Sequence, residues 1–410
     1  MKLPRHIPQL DALRGLAVLY VMLFHISKNV PSLHFDWLFH YGFTGVDLFF
    51  VLSGFLITGI LLETRDHQRF FTNFYARRAL RIWPLYYSLL VFVFVFLPIA
   101  QPQIKATIFE QSRPWQSFPF FLQNYLPKTV GFGPLEVTWT LAIEEQFYLI
   151  WPLIVWLIPR RRLKLVALAA IAVSTVLRFC VFHNLLFLET YTNALTRMDG
   201  LGLGAFLAIW IPESSTEKVK KAGKAMIAVA LPCVLALVLL TTNYWALFTV
   251  VSIFYAGLVC LAINNRRIAS WNFLKYTGKI SYGLYLLHVP SFDVARDTHV
   301  RRFFSLSFSQ TGSDIILVLV SFAIAYALSA ASWHFLERNI LKLKSLLELS
   351  AEREKTAPAC RESCRLSLPR AEPDSSGVSS GTLRNRAVAQ GDASIQVWLS
   401  ANSGSKPGQS

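Results

Sequence analysis

Apolar residues run through this chain in long blocks separated by short polar connections. A helix that crosses the hydrocarbon core of a bilayer needs about 20 mostly apolar residues, within a range of about 17–25. Ten blocks approach that length, near residues 10–27, 42–62, 82–100, 138–158, 163–182, 198–211, 225–241, 245–263, 279–293 and 314–336. The sixth and ninth are short for a full crossing and are expected to be tilted, broken or partly re-entrant. The pattern predicts an all-α fold: a polytopic membrane protein of about ten transmembrane helices. After Ser345 the composition shifts to Ser, Gly, Pro, Arg and Glu, and apolar periodicity stops. Residues 1–345 therefore read as an integral membrane domain. Residues 346–410 read as a disordered cytoplasmic tail with no second catalytic domain.

Lys and Arg concentrate in the cytoplasmic connections of membrane proteins. With the N-terminus inside, the inner connections carry Arg65, Arg69, Arg77, Arg78 and Arg81, then Arg160, Arg161, Arg162 and Lys164, then Lys218, Lys220, Lys221 and Lys224. The outer connections carry far fewer, among them Lys28, Lys105, Arg113 and Lys128. Both termini are thus predicted to be cytoplasmic, as an even number of crossings requires. One long outer connection, about 101–137, is rich in proline and aromatic residues and is placed to cap an outward-facing pocket.

Composition agrees with this picture. Hydrophobic residues make up 54% and charged residues 16%, against about 25% charged in soluble domains. A net charge of +16 is compatible with nucleic-acid binding. Here, however, the basic residues sit in short clusters between apolar runs, so no nucleic-acid partner is expected. Cys180, Cys233 and Cys260 lie in apolar runs as small buried thiols, and a single CxxxC at Cys360 and Cys364 has no second pair to make a metal site. Lys2 and Arg5 precede an apolar run as in a secretory signal. Asp11 and Arg14 interrupt that run and no small-residue cleavage site follows, so an uncleaved first helix is expected.

A charge at the centre of a membrane helix costs about 2.5–3.5 kcal/mol on insertion scales, so such residues mark a polar cavity, a partner or a reaction. In LDALRGLAVLYVMLFH, Arg14 and His25 are eleven residues apart. Helix geometry puts them on one face, about 16 Å apart along the axis, with Arg14 low and His25 high. Asp11 falls near the same face, and a simple interfacial i,i+3 pair with Arg14 is the alternative reading. Asp47 opens the second helix in GVDLFFVLSGF, where Ser53 reads as a packing residue. FYARRALRIWP sets Arg77, Arg78 and Arg81 at the inner end of the third helix, as an interfacial anchor, a phosphate site, or both. TWTLAIEEQFY puts Glu144 and Glu145 inside the fourth. Adjacent helical residues point about 100° apart, so at most one is expected to share the pocket of His25. Arg197 and Asp199 open the sixth helix, and His288 lies in SYGLYLLHVP of the ninth. By depth, His25, Asp47, Glu144, Glu145, Arg197 and Asp199 fall in the outer half, while Arg14, Arg77, Arg78 and Arg81 fall at the inner end. This predicts an anion-binding inner mouth and an acid/base outer pocket, suited to a phosphorylated cytoplasmic donor and an external acceptor.

Together these segments resemble the membrane acyltransferase-3 family, O-acyltransferases of surface and exported glycans. The resemblance rests on the arginine–histidine spacing of Arg14 and His25, on GVDLFFVLSGF through Phe55, on RRALRIWP (Arg77 to Pro84), on WTLAIEEQFY (Trp139 to Tyr148) and on SYGLYLLH. It covers about residues 5–340. It implies an acyl-CoA donor, most often acetyl-CoA, and a hydroxyl acceptor on a glycan or lipid-linked sugar. It also implies no metal cofactor, and a place in the cytoplasmic (inner) membrane of a bacterium. The donor's phosphates are expected near Arg14, Arg77, Arg78 and Arg81. His25 is expected to act as general base or as a transient acyl carrier, oriented by Asp47 or Glu144, with Glu145, Arg197, Asp199 and His288 supporting the site or its substrate. Two rival classes also fit ionisable residues at membrane depth. One is a secondary transporter, although no paired inverted repeats are evident. The other is a membrane glycosyltransferase that uses a lipid-linked sugar.

Overall fold

A computed structural model describes residues 6–30, 39–111, 114–125, 133–240, 245–265, 267–297 and 310–340. The expected tail after residue 345 lies outside these, as do Cys360 and Cys364. The described residues form an all-α fold with no strand. A helix stands at each of the ten expected positions. α1 is Pro8–Asn29, α2 is Gly45–Thr64, and α3 is Phe70–Val91, prolonged through a π-turn to Ala100. A short helix, α4 (Lys105–Gln111), follows. α5 is Thr138–Leu157, α6 is Arg160–Phe182, α7 is Ala194–Trp210, α8 is Thr216–Leu240 and α9 is Leu247–Ile263. The last three are α10 (Asn272–Lys279), α11 (Ser281–Asp297) and α12 (Gln310–Ala331). Eight helices among the described residues are long and apolar enough to cross a membrane. The sixth block, short in the sequence, gains its length at its outer end, where Asn193 caps α7 by accepting from the Leu195 amide at 2.9 Å. α9 and α11 have 17 residues each, at the lower limit for a crossing.

α2 and α7 form the centre of the bundle. Their contact is made by glycine: a Cβ on Gly54 would lie 2.0 Å from the Leu201 carbonyl oxygen, and one on Gly204 would lie 2.1 Å from that of Val51. Helices without a hydrophobic drive to associate in lipid rely on such close backbone packing. A polar pair inside the bundle, Trp151 Nε1 donating to Thr58 Oγ1 at 2.8 Å, ties α5 to α2. By contrast, α6 and α8 present Leu165, Val176, Val229 and Leu239 outward, more than half exposed, as a lipid-facing surface requires.

α1 is pinned along its inner half by α10. A Cβ on Gly278 would sit 1.7 Å from the Asp11 carbonyl oxygen. The chain turns at Ile280 and restarts as α11, which carries His288 back toward the outer end of α1. The long outer connection folds as short helical turns on the outer ends of α3 and α5. Tyr86 and Tyr87 donate to the Phe118 and Pro119 carbonyls at 2.8 and 2.9 Å. Gln146 donates to the Phe121 carbonyl at 2.7 Å, and Phe121 takes a left-handed φ of 56°.

Candidate functional site

Among the described residues, cavities border α1 at each of its marked residues. The outer cavity holds about 630 Å³ and is lined by His25, Lys28, Glu136, Trp139, Tyr191 and Phe248, among others. The inner one is narrower, about 100 Å³, and is lined by Arg14, Arg78, Arg81, Ser53, Glu144 and Tyr148 with apolar neighbours. The eleven-residue step of α1 therefore places Arg14 on one cavity and His25 on the other.

At the outer cavity the His25 ring meets His288, with ring centroids 4.9 Å apart. His288 Nδ1 lies 2.8 Å from the Tyr285 carbonyl and 3.1 Å from that of Leu284. A carbonyl only accepts, so Nδ1 carries the proton and Nε2 of the neutral ring is an acceptor. His25 Nδ1 lies 3.0 Å from the Val21 carbonyl and 3.3 Å from His288 Nε2. The same rule assigns its proton to Nδ1 and leaves Nε2 as the basic nitrogen. A third cavity of about 160 Å³ reaches the two histidines from the side of Glu136 and Asp293.

The expected carboxylates lie elsewhere. Asp47 is buried in the first turn of α2, 3.0 Å from Arg197 of α7. Glu144 faces the inner cavity, where it meets the Ser53 and Tyr148 hydroxyls, which also touch each other. Six residues of descent from the outer end of α5 are enough to carry it below the level of His25. Hence Ser53 has a polar partner beyond packing. Glu145 points about 100° away and accepts from Trp83 Nε1 at 3.3 Å. His288 is set against His25.

Arg197 and Asp199 do not line either of these two cavities. Asp199 is 2.7 Å from Arg178 of α6, and both are buried. Arg178 also donates to Ser174, the Trp245 carbonyl, the Thr196 carbonyl and Thr249. Arg197 lies 3.8 Å over the Phe248 ring, with Tyr191, Phe50 and Trp139 within 6 Å. Three of these rings form the wall of the outer cavity, so the guanidinium stiffens that wall from behind. Of the arginine trio, Arg78 and Arg81 line the inner cavity and Arg77 does not. Arg78 Nε is buried without a protein partner. Glu337 accepts from Ser332 at 2.9 Å and is buried near the inner end of the last helix.

Sequence reasoning passed over Arg178, although a lone arginine in the apolar run STVLRFCVF was a usable signal. It also passed over Glu136, whose place beside His25 depends on the approach of the outer connection. No cluster of metal-ligating side chains occurs among the described residues.

A family model described as an acyltransferase domain, the acyltransferase-3 model, matches residues 7–333. The O-acetyltransferase OatA of Staphylococcus aureus (strain NCTC 8325 / PS 47) is 27% identical over 83% of this chain and 58% of its own length. The peptidoglycan O-acetyltransferase OatA of Listeria monocytogenes serovar 1/2a is 30% identical over 82% of this chain and 56% of its own. The chain thus spans a little over half the length of these relatives. No solved structure matches it.

Proposed function

The chain belongs to the acyltransferase-3 family, and from that premise we propose that it is a membrane O-acetyltransferase. It takes an acetyl group from acyl-CoA at the inner cavity and transfers it to a hydroxyl of an envelope glycan at the outer cavity, in the cytoplasmic membrane of a bacterium. The names of the relatives favour peptidoglycan as the acceptor. The observation that carries the reading is the pairing on one helix face of a cationic cavity at Arg14 with a basic imidazole at His25.

The donor's phosphates engage Arg14, Arg78 and Arg81, whose guanidinium forks suit phosphate oxygens. Arg78 Nε, buried and unpartnered, awaits such an acceptor. The thin pantetheine arm extends upward beside α1 until the thioester reaches His25. The acceptor hydroxyl gives its proton to His25 Nε2. Its oxygen forms the new C–O bond with the acyl carbon, and the C–S bond breaks with its electron pair on sulfur. The imidazolium then returns the proton to the thiolate. His288 holds His25 Nδ1–H and stabilises the cation by sharing that proton. In the variant path the imidazole itself takes the acetyl group first, then passes it on.

The test uses the full-length protein, purified and reconstituted with acetyl-CoA. Slow CoA release is expected, accelerated by a peptidoglycan fragment that becomes acetylated. A positioned base contributes about 10²–10⁴ in rate, so His25→Ala is expected to lose transfer by that factor while remaining inserted. Full transfer by that variant rules out the role given to His25. Turnover that requires polyprenyl phosphate and not CoA points to glycosyl transfer instead.

A further inference from the structure

The two cavities have two lining residues in common, Val46 and Tyr285. We propose that these two side chains form a neck that sets the length of acyl group the enzyme transfers. The inference rests on the transfer reading above: the thioester must pass from the cavity of Arg14 to that of His25, and these residues stand where one cavity ends and the other begins.

One side of the neck is fixed by backbone. Val46 is 4% exposed in the first turn of α2. Gly45 before it is pressed on α1, where an added Cβ would lie 2.8 Å from the Ala17 carbonyl oxygen and 2.9 Å from Val21 Cγ2. Asp47 after it is held by Arg197 at 3.0 Å. The backbone that carries the Val46 isopropyl group is therefore held on both sides. The other side is an aromatic ring with one tether. The Tyr285 hydroxyl lies 2.9 Å from Thr140 Oγ1, and its ring meets Phe49 edge-on at 5.7 Å. The neck is thus a rigid aliphatic wall facing a latched ring. Such a gap admits a two-carbon acyl group and resists each added methylene. A single methylene in a confined apolar site changes specificity by about 10–200-fold.

The experiment measures transfer from acetyl-, propionyl- and butyryl-CoA by the full-length protein, as ratios within one preparation, so that partial loss of folded enzyme cancels. The wild type is expected to disfavour propionyl by about tenfold or more. Val46→Ala is expected to recover most of that factor. Val46→Phe is expected to lose acetyl transfer while still binding acetyl-CoA, read as unchanged donor affinity with a lowered turnover. Acetyl transfer by the wild type with length ratios unchanged in Val46→Ala overturns the neck and leaves the transfer reading intact. So does full acetyl transfer by Val46→Phe. No transfer from any acyl-CoA by the wild type overturns the transfer reading and the neck with it.

Discussion

Among the described residues, two groups of arginines and carboxylates inside this bundle are built differently. Arg178, Arg197, Asp47 and Asp199 form a closed set. Each carboxylate lies within 3.0 Å of its arginine; hydroxyls and carbonyls surround Arg178, aromatic faces surround Arg197, whose Nε and Nη1 make no hydrogen bond among the described residues, and none of the four lines the inner or the outer cavity. Arg14, Arg78, Arg81 and Glu144 form an open set around the inner cavity, where Arg14 has a loose contact of 3.7 Å to Asp11 and Arg78 Nε has no protein partner. The insertion cost of a charge has to be met in both places. In the first it is met by an opposite charge in close contact, so the cluster specifies packing. In the second it is left partly unmet, and an incoming anion can meet it.

The contrast is sharpest where its effects should be largest. Asp47→Ala removes one partner of a buried pair and strands Arg197. Such a loss costs about 3–5 kcal/mol, so a marked fall in inserted, detergent-stable protein is expected, measured as thermal stability of the purified chain. Normal stability would break the distinction, since it would make the closed set dispensable. Arg78→Ala should act on the other side of the divide, with stability nearly unchanged. A hydrogen bond to a charged group contributes about 1.5–3 kcal/mol, which corresponds to roughly 10–150-fold weaker donor binding by titration. The smallest effect belongs to Arg77→Ala. Its side chain lies off the cavity wall, and donor affinity is expected to change by less than about twofold, within the range of ordinary surface substitutions. Equal losses at Arg77 and Arg78 would show that the cluster acts as a diffuse anchor and not as a shaped site.

The helical blocks, eight of them among the described residues long and apolar enough to cross, were legible because a bilayer imposes length and apolarity on each segment independently. The placement of Arg14 and His25 was legible for a related reason, since it needs only the geometry of one helix. Partnerships between helices were not. Asp47 in the sequence is an acid near the outer end of a span, and nothing local says that its partner is Arg197 rather than His25. That choice is made by the Gly54–Leu201 and Gly204–Val51 approaches, which draw α7 onto α2. Glu144 was set too high because its depth was measured from the end of its own helix. His288 was visible as an ionisable residue in an apolar run, but its contact with His25 depends on the restart of the chain after Ile280. The expected arginine trio divides for a simple geometric reason: the cavity faces the arc between Arg78 and Arg81, and Arg77 falls at its edge.

The wall between the cavities also has an electrical side. A unit charge moved across the membrane potential does or requires about 2.3 kcal/mol of work per 100 mV. On the proposed transfer reading, with Val46 and Tyr285 narrowing the path, the donor's phosphates stay on the Arg14 side, and the net exchange between the sides is the acyl group for one proton. The acyl group moves outward as the equivalent of a cation, and the acceptor's proton returns inward on the thiol. The two movements cancel, so the exchange is electroneutral. Acetyl transfer in proteoliposomes is then expected to be indifferent to an imposed potential. A rate that changes with that potential would mean the thiolate takes its proton from the inner side.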